Sequence, residues 1–183
     1  MSDTGLYNYT RYLLGDKPAL NELVRTYSDS LTRYAYCYLN DTAAAEDVME
    51  ETFATLIVKR KKFKDEQHFH AYLYKVARNK SIDYLRRRGR EDSLEDIEDI
   101  LSSQNTEDIA LKNERNRTIY VCMQQLPTQY RDVLYLSYID GFTTEEVCQI
   151  MRLNTKQVYN LLARAKAALK KIFLKEGITY EDL

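Results

Sequence analysis

Lys156, Asn160, Arg164 and Lys171 recur at intervals of four and seven residues, with Ala163 and Ala167 between them. At 100° per residue all six fall on one side of a helix whose opposite side starts at Val158. Their chemistry is hydrogen bonding to nucleic acid. Arg can donate two parallel bonds to guanine, Asn can pair with the adenine edge, and Lys neutralises phosphate. The small alanines let a helix approach closely. From 155 to 175 there are six Lys or Arg and no Asp or Glu.

Such a face needs a helix held out from the body of the protein, and residues 143–171 supply the parts. Thr143 with Glu146, and Asn154 with Gln157, have capping-box form and mark two helix starts. Val147, Ile150 and Met151 line the inner face of the first helix. Val158, Leu161, Leu162, Ala165, Leu169 and Ile172 line that of the second. This is the outline of a DNA-binding helix-turn-helix, whose second helix enters the major groove. A solvated basic face on an ordinary core helix is the other reading of the same charges.

A second basic element lies upstream. Lys59-Arg60-Lys61-Lys62-Phe63-Lys64 and Arg86-Arg87-Arg88-Gly89-Arg90 bracket a helix carrying Lys75, Arg78, Asn79 and Lys80. Interleaved with Phe69, Tyr72, Tyr74 and Tyr84, these cations suit single-stranded nucleic acid, where rings stack on bases. A helix with a wet basic side and a tyrosine-lined core side is the alternative. Glu46, Asp47, Glu50 and Glu51 read as a surface that docks on a basic partner.

Other chemistries find no support. His68 and His70 stand without Cys or carboxylate at ligand spacing, so no metal site is expected. There is no Gly-rich phosphate loop and no nucleophile–base pattern, so neither a cofactor nor a small-molecule substrate is expected. Cys37, Cys122 and Cys148 are scattered, which points to buried thiols in a reducing cytoplasm. No apolar run approaches the length that spans a membrane, and no signal pattern opens the chain.

With 183 residues, 5 Gly and 2 Pro, the chain is too poor in turn formers for a β fold and reads as all-α. Its net charge of −1 conceals segregation: −5 over residues 1–58, +9 over 59–90, −8 over 91–111 and +3 over 112–183. The division that follows is an N-terminal helical domain over 1–90, an acidic linker over 91–106 and a C-terminal helix-turn-helix domain over 107–183.

Within the first domain, helices are expected around Thr4–Leu14, from Asp16 to about Leu39 with Pro18 in the first turn, and from Asp41 or Thr42 through Ile57. A fourth is capped by Asp65 and ends near Arg88-Gly89, with Phe69, Tyr72, Leu73, Val76, Ala77, Ile82 and Leu85 inward. In the linker, a helical turn at Leu94–Leu101 is the most that the weak periodicity allows. Helices over about Glu107–Gln125 and from Pro127 to Ile139, stopped at Asp140-Gly141, complete the second domain. The 16 tyrosines read as amphipathic rings at helix edges.

Several ordered segments together resemble a bacterial sigma factor of the extracytoplasmic-function (ECF) type, within the sigma-70 family, over about residues 12–172. They are Gly15-Asp16…Ala19-Leu20; Asp41…Ala45-Glu46-Asp47-Val48…Glu51-Thr52-Phe53; Ala71-Tyr72-Leu73…Ala77-Arg78-Asn79…Asp83…Leu85-Arg86-Arg87; and Leu126-Pro127…Asp140-Gly141-Phe142-Thr143 before the helix-turn-helix. The resemblance implies a promoter-specificity subunit without catalysis of its own, with core RNA polymerase and promoter DNA as partners and an anti-sigma factor as regulator. Asp41, Glu46, Asp47, Glu50, Glu51 and Phe53 would dock on core polymerase. Tyr72, Lys75, Arg78, Asn79, Lys80, Asp83, Arg86 and Arg87 would recognise and melt the −10 element. Thr155, Lys156, Gln157, Asn160, Arg164 and Lys166 would read the −35 element, and the acidic linker would thread through the polymerase.

The chain departs from the family pattern at several points. Tyr72 stands where Trp is usual, Glu50 replaces a common Gln, and Cys148 takes a usual Ala position. Arg152 stands at a turn position where Gly is usual, and Tyr159 and Leu161 replace basic or polar residues. An autonomous helix-turn-helix regulator, binding duplex DNA without polymerase, is the alternative function; it leaves the acidic segment at 41–53 unexplained.

Overall fold

The computed structural model describes residues 5–91 and 114–178, with side chains at 5–89 and 118–178. Among these residues all regular structure is helical. The helices fall into two compact units, divided between residues 106 and 107. The acidic linker expected at 91–106 lies outside the described residues, apart from Glu91.

The first unit holds α1 (Gly5–Leu13), α2 (Lys17–Leu39), α3 (Thr42–Lys59) and α4 (Glu66–Glu91). Helix α2 is its centre, packed against the other three. Its last turns, Tyr34 to Leu39, are buried all round, so α2 ends inside the bundle. Asn40 terminates it in the left-handed region at φ 50°, which the short Asn side chain tolerates. Pro18 sits in the first turn as expected, but Asp16 does not cap. Its carboxylate is held instead by Arg11 at 2.6 Å, and that bond raises the Arg11 pKa. Asp41, in extended backbone, does cap α3 by accepting from the Ala44 amide at 3.1 Å.

Aromatic rings fill this bundle rather than only edging its helices. Tyr9, Tyr34, Tyr74 and Phe69 are fully buried. Tyr9 stacks on Phe69 with ring centres 5.4 Å apart, and Phe63 meets Phe69 edge-on at 5.3 Å. Each such pair adds about 0.5–1.5 kcal/mol beyond area burial, so the tyrosines supply core volume that aliphatic residues usually give. Gly89 does not stop α4, which continues to Glu91. Near its end the inward stripe fails: Ile82, expected inside, is 36% exposed.

The second unit holds α5 (Glu114–Gln124), α6 (Thr128–Leu134), α7 (Thr144–Met151) and α8 (Thr155–Lys175). The helix expected to run unbroken to Ile139 instead widens into a π-helical turn over Tyr135–Ile139. The amide of Asp140 reaches back five residues to the Tyr135 carbonyl at 3.1 Å. Gly141, at φ 67°, then reverses the chain in a conformation that favours glycine. Val133, Leu136, Val147, Ile150, Val158 and Ala165 form the fully buried centre.

Candidate nucleic-acid interface

Both expected capping boxes are present and they define the helix-turn-helix. Thr143 Oγ1 accepts from the Glu146 amide at 3.3 Å, while the Glu146 carboxylate accepts from the Thr143 amide at 2.8 Å. Helix α7 ends at Arg152, which is left-handed at φ 57° and ψ 44°. Its amide bonds the Cys148 carbonyl, as does that of Leu153 at 3.1 Å. The Asn154–Gln157 box then starts α8, with both of its bonds at 2.9 Å. Two helices are thus fixed at a turn of three residues, with Val147, Ile150 and Val158 completely buried beneath them.

That turn presents Thr155, Lys156, Gln157, Asn160, Ala163, Arg164 and Ala167 to solvent. Of the positions named for DNA contact, Lys156, Gln157, Asn160 and Arg164 therefore lie on one exposed side of α8, while Thr155 and Lys166 sit on its flank. The Lys166 ammonium lies 4.8 Å from the centre of the Tyr138 ring, on the π-helical turn. Cation and ring there form a second exposed feature beside the helix. Tyr159, next to Asn160 on the second turn, is 58% exposed. Cys148, expected to be buried, is half-buried, its thiol 4.0 Å from Thr155 Oγ1.

In the first unit, Glu46, Asp47, Glu50 and Glu51 lie exposed along α3. Asp41 is the cap of that helix. Phe53 is only 5% exposed and packs into the core, so it supports the acidic face from beneath. On α4, Lys75, Arg78, Asn79 and Lys80 are half-buried, and Asp83, Arg86 and Arg87 are exposed. Asp83 and Arg86 pair with each other at 2.9 Å.

The sequence does not reveal that these two sets meet. Lys80 Nζ lies 2.7 Å from the Glu51 carboxylate, and Asp47, Glu51, Lys80, Tyr84 and Arg87 line one open cleft of about 390 Å³. Positions 51 and 80 are 29 residues apart, on helices whose crossing no local pattern specifies.

Tyr72 is set differently from a free stacking ring. It packs on Phe63, ring centres 5.0 Å apart, with the Lys61 ammonium 5.0 Å above it. Its hydroxyl is buried without a hydrogen-bond partner, and burial raises its pKa. The two histidines are used locally. His68 Nδ1 is 2.6 Å from the Asp65 carboxylate, and the His70 ring sits between Tyr27 and Tyr74 at 5.5 and 5.1 Å.

Comparison with known proteins places both units. Residues 23–91 match the model of sigma-70 region 2, and residues 116–169 match that of sigma-70 region 4, together about two thirds of the chain. The ECF RNA polymerase sigma factor SigW of Bacillus subtilis is 27% identical over 168 residues, covering 86% of this chain and 90% of SigW. The chain belongs to the sigma-70 family, in its ECF type. The ECF sigma-E factor of Escherichia coli K12 is 25% identical over 166 residues, covering 85% of this chain and 86% of its own.

Two solved structures share the fold. The sigma factor RpoE, in complex with the anti-sigma factor NepR from Bartonella quintana, superposes with a TM-score of 0.66 at 19% identity. It covers 84% of this chain and 95% of its own. CnrH, in complex with the cytosolic domain of CnrY, gives 0.67 at 20% identity, covering 92% and 96%. As a member of the sigma-70 family, the chain serves promoter-directed initiation by RNA polymerase. Among the described residues no helix is long and apolar enough to cross a membrane.

Proposed function

We propose that the two helical units divide promoter-directed initiation between them. The unit spanning 1–90 docks on core polymerase through the exposed carboxylates of α3 and engages the −10 element through α4. The unit spanning 107–183 reads the −35 element with the outer face of α8. The acidic stretch 91–106 links them. The chain acts in the cytoplasm as a specificity subunit with no catalytic site of its own, and an anti-sigma factor regulates it. The observation that carries this reading is the exposed side of α8, where Lys156, Asn160 and Arg164 stand on a doubly capped helix-turn-helix.

Transcription with purified bacterial core polymerase, with and without the full chain, on a pool of promoter-length DNA tests it. Start-site-specific transcripts are expected only with the protein. Asp47→Lys should abolish them by removing core binding, and Arg164→Ala should weaken them on promoters with an upstream element. Tight duplex binding by the chain alone, without any association with core, would instead establish an autonomous regulator.

A further inference from the structure

We infer that Tyr138 is a positioning residue for DNA binding: its ring holds the Lys166 ammonium, still charged, on the flank of α8, where it meets a phosphate of the upstream element. The inference rests on the reading of α8 as the −35 reader given above. It assigns Lys166 to the backbone rather than to the bases.

Tyr138 owes its place to the π-helical turn. In a regular helix it would stack over Leu134 and Tyr135, one turn before it, and both of those are buried. The Asp140 amide instead reaches the Tyr135 carbonyl five residues back. The wider turn takes in an extra residue and shifts the side chains round the axis, and Tyr138 is left 57% exposed. Widened turns of this kind recur at functional sites. A large ring in solvent adds little to the core. Its contact is the Lys166 ammonium, 4.8 Å from the ring centre.

A carboxylate could hold that lysine equally well, but it would cancel the charge, as Glu51 does for Lys80 at 2.7 Å. An aromatic face attracts the cation through its quadrupole and leaves the unit charge in place. Lys166 has no carboxylate partner among the described residues, and its own helix offers none, since residues 155–175 contain no Asp or Glu. The result is a cation whose arm is already ordered, so less rotamer freedom is lost when it meets an anion.

The position of Lys166 on the helix decides which anion. It follows the buried Ala165 and stands about a quarter turn round α8 from it, and about a third of a turn from Asn160 on the outer side. A helix about 10–12 Å across nearly fills a major groove about 12 Å wide. The outer side of such a helix faces base edges, and its flank faces the phosphate wall. A compact ammonium suits that wall as a point charge. Contacts there fix affinity and register and carry no sequence information of their own.

The test is the affinity of core polymerase carrying the full-length chain for a promoter on which it initiates, measured over a series of salt concentrations. Lys166→Met keeps the aliphatic stem and removes the charge. It should reduce the slope of log affinity against log salt by about 1 in magnitude and weaken different upstream sequences alike. Tyr138→Leu should weaken binding by about two- to fivefold in the wild-type background, and not at all in the Lys166→Met background. Tyr138→Phe, which keeps the ring, should match wild type. A folding defect would follow Tyr138→Leu into both backgrounds, so the comparison separates the two causes.

An equal loss from Tyr138→Leu with and without the lysine charge overturns the inference, as does an unchanged salt slope in Lys166→Met. A loss in Tyr138→Phe as large as that in Tyr138→Leu overturns it too, and gives the hydroxyl a contact of its own. Tighter binding by Tyr138→Leu would show the ring withholding the cation from DNA, the opposite role. If Arg164→Ala in the same series also leaves affinity unchanged, it is the assignment of α8 to the −35 element that has failed, and the inference falls with it.

Discussion

Single residues here carry measurable consequences. Arg152 holds φ 57° at the end of α7, where a side chain costs about 1 kcal/mol relative to glycine. Arg152→Gly should therefore stabilise the second unit by up to about 1 kcal/mol, read as a raised urea midpoint of the unfolding transition assigned to that unit. Asp65 accepts from the His68 amide at 2.9 Å and so caps the start of α4. That backbone bond, followed by the bond to the His68 ring, lowers its pKa below the ordinary 3.8. A depressed carboxylate stabilises the fold above its unfolded pKa, and the gain is lost as pH falls through the folded value. Wild type should thus lose melting temperature below about pH 4 more steeply than Asp65→Asn, which keeps a capping oxygen without a titrating proton. Parallel acid limbs for the two proteins would refute the assignment.

At the scale of elements, the first turn of α1 is fastened by one carboxylate. Glu66, at the start of α4, accepts from the Leu6 amide and from the Tyr27 hydroxyl, both at 2.9 Å. Burial, and then the charge of Glu66, raise the Tyr27 pKa, so the phenol stays a donor. Gly5 lies flat against the same ring, and a Cβ there would collide with it. Glu66→Ala should free the first turn of α1 at a cost of about 1–3 kcal/mol, seen as faster amide exchange at residues 5–9 while α2 and α3 keep their protection. The sequence announces the helices and their starts because caps are local: Thr143 with Glu146, Asn154 with Gln157, Asp41 and Asp65 each act within four residues. It is silent on the π-helical turn, since the periodicity of Tyr135–Ile139 alone does not distinguish a widened turn from a regular one. The Glu66 fastening, the Tyr9–Phe69 stack and the Glu51–Lys80 pair were illegible for another reason. Each depends on how helices cross, which the alternation of apolar residues along one helix does not determine. The exposed side of α8 was legible because the positions of its side chains follow from helical angle alone. The use of the Gln157 oxygen was not, since a capping box can be suspected from residue types but only geometry shows both of its bonds closed.

For the whole molecule, near-neutral net charge coexists with strongly cationic segments, and binding to DNA should follow the segments rather than the total. With polymerase present, the logarithm of affinity for a promoter is expected to fall linearly with that of salt. Lys156→Ala should reduce the magnitude of that slope by about 1 if the ammonium contacts phosphate, with little change in preference among promoters. An unchanged slope would remove Lys156 from the phosphate contacts. The cleft between α3 and α4 bears on the same behaviour. There, Glu51 already satisfies Lys80 at 2.7 Å, so part of the cationic side of α4 is masked by its own neighbour. A free sigma factor faces an excess of arbitrary DNA, and a cation engaged at home contributes less to such encounters. Linkage makes the effect reciprocal: whatever binds Glu51 makes Lys80 more available, and whatever binds Lys80 unburdens Glu51, by the same factor. The exposed pair is worth no more than about 1 kcal/mol, which limits that factor to roughly fivefold. Within that limit, if polymerase docks on the α3 carboxylates and promoter on α4 as proposed, the clasp makes the two each other's allies on this surface, and each should be held better with the other present.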